Sequence, residues 1–269
     1  MLAINETEFL RLIGYMKNNY GINLTQKKTL IEGRLSNTVI EKGFDSFGEY
    51  FNFVFSDKTC GEIETLINKL TTNHTFFMRE SKHFDYFRNT VLPYLAESIR
   101  DRDLRIWSAG CSTGEEPYTL QMIMNDYFGN NSVLWDKKIL ATDISTRALE
   151  IAKVGKYPLE AISEITPFWK LNYFEKLDGE NVRVKESIRE NVIFRKFNLM
   201  EEQFPFKRKF HVIFCRNVMI YFEKNTKQLL VNKFYDCLDK GGYLFIGHSE
   251  TIDKEETDLK YIIPAVYRK

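Results

Sequence analysis

The stretch Leu104-Arg-Ile-Trp-Ser-Ala-Gly-Cys-Ser-Thr-Gly-Glu-Glu-Pro-Tyr118 decides how this chain is read. A short apolar run, Leu104 to Trp107, gives way to small residues and then to helix formers, the pattern of a buried strand turning sharply into a helix. Gly110 and Gly114 let a ligand approach the backbone closely. A dinucleotide fingerprint needs a third glycine, and Glu115 and Glu116 stand where a helix N-terminus would otherwise receive a phosphate. Carboxylates there repel pyrophosphate and suit an amine or hydroxyls. S-adenosylmethionine, a nucleoside with an amino-acid tail and no phosphate, has that chemistry. The alternative is a plain turn with a favourably charged first helical turn.

Downstream, Lys138-Ile-Leu-Ala-Thr-Asp143 reads as a second strand. Strand, helix, strand is a right-handed parallel unit, which brings Asp143 beside the glycine loop to accept both hydroxyls of a ribose. Asp143 could instead only cap the helix from Ser145 to Val154. Further strands are expected at Val192 to Phe197, Phe210 to Cys215 and Tyr243 to Gly247, with a closing pair of short strands from Leu259 to Tyr267. In Phe214-Cys-Arg-Asn-Val-Met-Ile-Tyr-Phe222 a buried strand ends in Arg216 and Asn217, with Tyr221 a turn further on. The chain is therefore α/β, with a Rossmann-like, doubly wound sheet closed by an antiparallel hairpin. Asp178-Gly179 between short apolar or alternating runs signals a small antiparallel subdomain inserted at about 165–190.

Upstream, residues 1–72 carry only helical stripes: Phe9, Leu12, Ile13 and Met16; Leu30, Ile31, Leu35 and Val39; Phe47, Tyr50, Phe51 and Val54; Ile63, Leu66, Ile67 and Leu70. Lys27, Lys28 and Arg34 fall on the outer side of the second helix, as a solvated face or one turned to an acidic partner. A helix is expected over 82–98. The layout is then a helical domain over 1–75, a linker and helix over 76–98, and a cofactor-binding domain over 99–269.

Composition narrows the function. Thirty-eight Lys and Arg against 37 Asp and Glu leave a net charge of +1, so no global field draws the chain to nucleic acid or an anionic membrane. No apolar run is long enough to span a bilayer, and no secretory leader is visible, so a cytoplasmic protein is expected. Cys60, Cys111, Cys215 and Cys237 show no metal spacing, nor do the four histidines, and no metal is expected. Gly110 to Gly114 also matches the nucleophile elbow of serine hydrolases, with Ser112, Asp143 and His248 in a suitable order. Against that rival, Glu115 and Glu116 put negative charge close to a developing oxyanion.

Five segments together resemble the CheR family, the chemotaxis receptor glutamate methyltransferases. They are Thr72-Asn-His-Thr-Phe-Phe-Met-Arg-Glu80, the loop from Trp107 to Tyr118, Ala141-Thr-Asp-Ile-Ser145, the block from Phe214 to Phe222, and Gly247-His-Ser-Glu250. The resemblance implies that S-adenosylmethionine is the methyl donor, leaving S-adenosylhomocysteine. It implies that Glu115 takes the methionine amino group and Asp143 the ribose diol, with Gly110 in the cofactor loop. Asn73, Thr75 and Arg79 would reach the cofactor tail and reaction centre, Asn198 and Leu199 would flank the adenine, and Arg216 and Asn217 would line the methyl-donor pocket. Arg79 and Tyr221 would serve the reaction itself, Arg79 orienting a carboxylate and Tyr221 shaping the methyl channel. The partners implied are the cytoplasmic domains of chemoreceptors, met by a monomer with no nucleic acid and no membrane insertion. Ser36-Asn-Thr-Val-Ile40 replaces the arginine-rich turn of well-known members, and the short hairpin Leu177-Asp-Gly-Glu-Asn181 counts against tethering to a receptor tail. A binding module that had abandoned the chemistry would not need the polar set Arg79, Glu115, Asp143, Arg216 and Asn217, which is intact.

Overall fold

The computed structural model describes residues 2–57, 61–71 and 74–269. Four helices come first: α1 (Glu6–Tyr20), α2 (Lys28–Glu41), α3 (Phe47–Ser56) and α4 (Gly61–Leu70). The Asn5 side chain caps α1 in a reciprocal box with Glu8, and left-handed Gly21 (φ 71°) ends it. The expected stripes are buried except for Ile13 and Leu30, which are half-buried. Arg34 is not a free outer charge: its guanidinium donates to the carbonyls of Lys69, Leu70 and Thr71, each at 3.2 Å, satisfying the end of α4.

The helix expected over 82–98 is three pieces: α5 (Ser81–Tyr86), a π-helical turn (Phe87–Val91) and α6 (Leu92–Ser98). Pro93 explains the break, since it has no N–H and its ring crowds the carbonyl four residues back. Next come β1 (Ile106–Ala109), α7 (Glu115–Phe128), β2 (Ile139–Asp143), α8 (Thr146–Val154), β3 (Lys156–Pro158), α9 (Pro167–Tyr173), β4 (Phe174–Lys176), β5 (Asn181–Val184) and α10 (Glu186–Arg189). The chain finishes with β6 (Val192–Lys196), β7 (Phe210–Cys215), α11 (Lys224–Cys237), β8 (Leu238–Ile246), β9 (Lys260–Ile263) and β10 (Val266–Arg268).

Seven strands form one sheet in the order β6-β2-β1-β7-β8-β10-β9. The first five are parallel, and β10 and β9 close the sheet antiparallel. The reversal of order beside β1 places a crevice beyond the carboxyl ends of β1 and β7. Alternate residues of β1 and β7 serve opposite faces: Ile106, Val212 and Phe214 pack towards α5–α7, while Trp107 and Ile213 join a core that continues into α1–α4. The small second sheet has the order β3-β5-β4. It begins before the expected insertion, because β3 contains Pro158 and reads as turn, yet proline is tolerated on an edge strand. Trp169 Nε1 donates to Asp126 at 2.6 Å and Tyr173 OH donates to the same carboxylate, fastening this sheet to α7.

Candidate active site

A cavity of about 330 Å³ lies where α1, α2 and the segment after α4 meet the carboxyl ends of β1, β2 and β7. Its floor is the glycine loop. The N–H groups of Gly110 and Cys111 both donate to the Thr142 carbonyl, at 2.7 and 2.9 Å, which folds the loop back onto β2. Gly110 has φ +86°, and a β-carbon there would collide with the Val218 side chain. At Gly114 (φ +97°) a β-carbon would lie 2.9 Å from the Ala152 methyl, so glycine lets α7 start close against α8.

Asp143 is on the cavity wall and only 9% exposed. Its carboxylate accepts the N–H of Ser112 at 2.8 Å and of Ser145 at 2.9 Å, one on each oxygen, which leaves the carboxylate further acceptor capacity. Burial pushes its pKa above the usual carboxylate range, opposed by those N–H groups and that of Ile144. The cap of α8 is a different residue, Ser145, which accepts from the Ala148 N–H.

Of the two adjacent glutamates, Glu116 and not Glu115 faces the cavity. Glu115, expected at the cofactor amine, is instead buried with Thr113 Oγ1 donating to it at 2.7 Å and does not line the cavity, which its neighbour does. Glu116 accepts from Ser108 Oγ at 2.7 Å and from Arg216 at 3.1 Å. Burial raises its pKa, with Arg216 and Ser108 pulling the other way.

Arg216 is the hub of the wall. Its guanidinium sits 3.1 Å from both Glu80 and Glu116, donates to the Arg79 carbonyl and lies 5.0 Å over the Phe84 ring. Glu80 also accepts from Asn217 Nδ2 at 3.2 Å and from the His248 N–H at 3.3 Å. Burial alone would raise the Glu80 pKa, but Arg216, Asn217 and the His248 N–H outweigh it and hold the carboxyl low. Glu80, His83 and His248 could offer ligand atoms within 4.8 Å of one another, yet the Glu80 oxygens are already engaged and a dication would sit against Arg216. Burial, then Arg216, holds His83 near pKa 4 and neutral.

Thr75, Arg79, Gly110, Asp143, Asn198, Leu199, Arg216, Asn217 and Tyr221 share this one cavity. Asn73 lies outside the described residues. Arg79 donates one nitrogen to the His74 carbonyl at 2.7 Å, and Asn198 donates to the Asn19 carbonyl of α1 at 2.8 Å. Sequence reasoning missed Glu80 and Glu116, and left Lys27 on an outer face although it lines the cavity. In the rival triad, Ser112 is left-handed (φ 49°), but Asp143 takes that serine's own N–H and the His248 ring packs on His83 at 4.4 Å.

This geometry agrees with what the chain resembles along its whole length. Residues 7–71 match the CheR methyltransferase all-alpha domain, and residues 73–267 match the CheR methyltransferase SAM binding domain. A chemotaxis protein methyltransferase of Borreliella burgdorferi is 49% identical, covering 100% of this chain and 96% of the relative. That of Escherichia coli is 37% identical over 95% and 88%, and chemotaxis protein methyltransferase 2 of Pseudomonas aeruginosa is 39% identical over 86% and 81%. With both halves matched and the cavity formed where they meet, the chain belongs to the CheR family of S-adenosylmethionine-dependent chemotaxis methyltransferases.

Proposed function

We propose that this enzyme methylates glutamate side chains on the cytoplasmic helices of chemoreceptors. The observation that carries the reading is the mixed charge lining one cavity: the acceptors Glu116 and Asp143, with Arg216 paired to Glu116, and the cations Arg79 and Lys27. The acceptors fit the cofactor's amine and ribose hydroxyls, and Ile144, Phe197 and Leu199 offer an apolar shelf for its base. The cations suit an incoming carboxylate. When bound, S-adenosylmethionine supplies an electrophilic methyl on a sulfonium, so a carboxylate oxygen bonds to that carbon as S-adenosylhomocysteine leaves.

A glutamate of ordinary pKa, about 4.3, is ionised at neutral pH, so the protein has no proton to remove. Its work is to hold the carboxylate in line and exclude water. On this reading Arg79 orients the carboxylate through its planar fork, a role supported by its place in the cavity lining and by the one nitrogen braced on the His74 carbonyl. The enzyme acts as a cytoplasmic monomer on this reading. No described helix is long and apolar enough to cross a membrane, and Cys111, Cys215 and Cys237 are free thiols.

The test is transfer of labelled methyl from S-adenosylmethionine to receptor-bearing membranes. Alkali should release the label as methanol, the signature of a methyl ester. Label that survives alkali would leave a methyltransferase and remove the glutamate. Arg79→Lys keeps the charge and loses the fork, and should cut transfer about tenfold with little change in melting temperature. A variant that loses stability and keeps its turnover would make Arg79 a structural brace.

A further inference from the structure

The turn Gly247-His-Ser-Glu250 follows β8 and lines no part of the cavity. Its Glu250 side chain is 4% exposed and aims at backbone. One carboxylate oxygen accepts the N–H groups of Gly247 and Asn217, the latter at 3.0 Å, and the other accepts the Ile220 N–H at 3.1 Å. Two of these donors, Asn217 and Ile220, belong to the short turn that follows β7 and carries Asn217 and Tyr221 to the cavity wall. Asn217 is left-handed at φ 59°, a conformation that a non-glycine residue keeps only when its surroundings impose it.

The other features of the motif serve the same turn. A β-carbon at Gly247 would lie 2.6 Å from Asn217 Nδ2 and 2.8 Å from the Asn217 nitrogen, so only glycine allows this approach. The His248 N–H reaches Glu80, which in turn accepts from Asn217 Nδ2. On its far side the turn is pinned to the helical half, where the Asn23 N–H donates to the Tyr221 carbonyl at 2.8 Å.

We propose that Glu250 is a positioning residue of the methyl-donor pocket: by accepting the N–H groups of Asn217 and Ile220 it fixes the turn that presents Asn217 and Tyr221 to S-adenosylmethionine. The proposal rests on the cofactor reading of the cavity and is independent of the methyl acceptor. A glutamine in its place keeps the size but turns an amide N–H₂ towards N–H donors, so the hold on the turn is lost while the packing stays.

Calorimetric titration of the full-length Glu250→Gln protein with S-adenosylhomocysteine tests it, alongside apo melting and amide exchange at Asn217 and Ile220. Affinity should fall about tenfold with both amides exchanging faster and melting within a few degrees of the parent, because small misplacements of a binding wall are costly. Affinity unchanged, with only melting lowered, would make Glu250 a stabilising cap and overturn the proposal. Should Glu250→Gln not fold, Gly247→Ala pushes the same turn from the other side: weakened binding supports the positioning role, and unchanged binding refutes it. A parent protein that fails to bind S-adenosylhomocysteine at all overturns the cofactor reading, and the positioning role with it. Failure of methyl transfer to receptors with intact cofactor binding touches only the acceptor.

Discussion

The two ends of the seven-stranded sheet treat charge in opposite ways. At the amino end Arg105 lies between Asp103 at 3.0 Å and Asp239 at 3.5 Å, with Arg208 also on Asp103 and 3.7 Å from Asp101, and several of these groups are well exposed. At the carboxyl end Arg216, Glu116, Asp143 and Glu250 are each less than a tenth exposed or at the cavity wall, held by backbone N–H groups and by one another. Backbone strain follows the same division. Of six non-glycine residues with positive φ among those described, Ser112 and Asn217 line the cavity and Met78 and Glu80 flank Arg79, which also lines it. Water solvates the amino-end charges cheaply, whereas burial works against charge on the carboxyl-end carboxylates and their hydrogen-bond partners oppose it. The folding cost is concentrated where a ligand can repay it.

The contrast can be broken most forcefully at Arg216. Arg216→Met leaves Glu80 and Glu116 buried without their cation, and should cost about 3–5 kcal/mol in urea unfolding and remove cofactor binding. Adding Glu80→Gln and Glu116→Gln should recover much of the stability and none of the binding; a single variant of parental stability would show the hub to be dispensable. Next in size, Asp143→Asn turns an amide towards the Ser112 and Ser145 N–H groups, and should cost about 1–3 kcal/mol. Its S-adenosylhomocysteine affinity, read by titration, should fall at least about tenfold.

Acid sharpens the comparison, because one buried histidine sits at each end. Burial first, then Arg216 for His83 and Arg105 for His211, lowers each pKa from 6.5 to about 4. Between those values the unfolded chain binds protons that the folded chain does not, so stability is full above pH 6.5 and falls as pH drops towards 4. Each histidine contributes about 1.4 kcal/mol per pH unit in that window. His211→Asn should remove one of the two contributions and leave cofactor affinity alone, while His83→Asn should remove the other and weaken binding. Equal effects on affinity would erase the distinction between the ends. The smallest change is expected at the exposed Asp239→Asn, about 0–1 kcal/mol in thermal unfolding with binding intact.

Much of this was readable from residue order. The strand into Gly110, the acid at Asp143 and the polar strand end at Arg216 follow from spacing alone, and the structure brings them to one cavity. The choice between Glu115 and Glu116 did not follow, since it depends on the rotational phase of α7. That helix buries Tyr118, Leu120, Met122, Ile123 and Met124 all round its circumference and leaves no polar face from which to take the phase. Glu80 was hidden for another reason: its partners Arg216 and Asn217 lie far along the chain, and only the tertiary fold brings them together. β3 was missed because three residues ending in proline carry no alternation.

The cavity is roofed by one half of the molecule and floored by the other. Asn198 holds α1, Asn23 holds the Tyr221 carbonyl, and Ser145, next to Asp143 through its N–H, donates its hydroxyl to Asn68 of α4 at 2.7 Å. Residues of both halves line it, so a ligand that bonded to both would, by linkage, strengthen the adhesion between them by the free energy with which that adhesion strengthens its binding. Cofactor supply would then be a mechanical variable for the enzyme, a starved molecule being one whose two halves hold together less firmly.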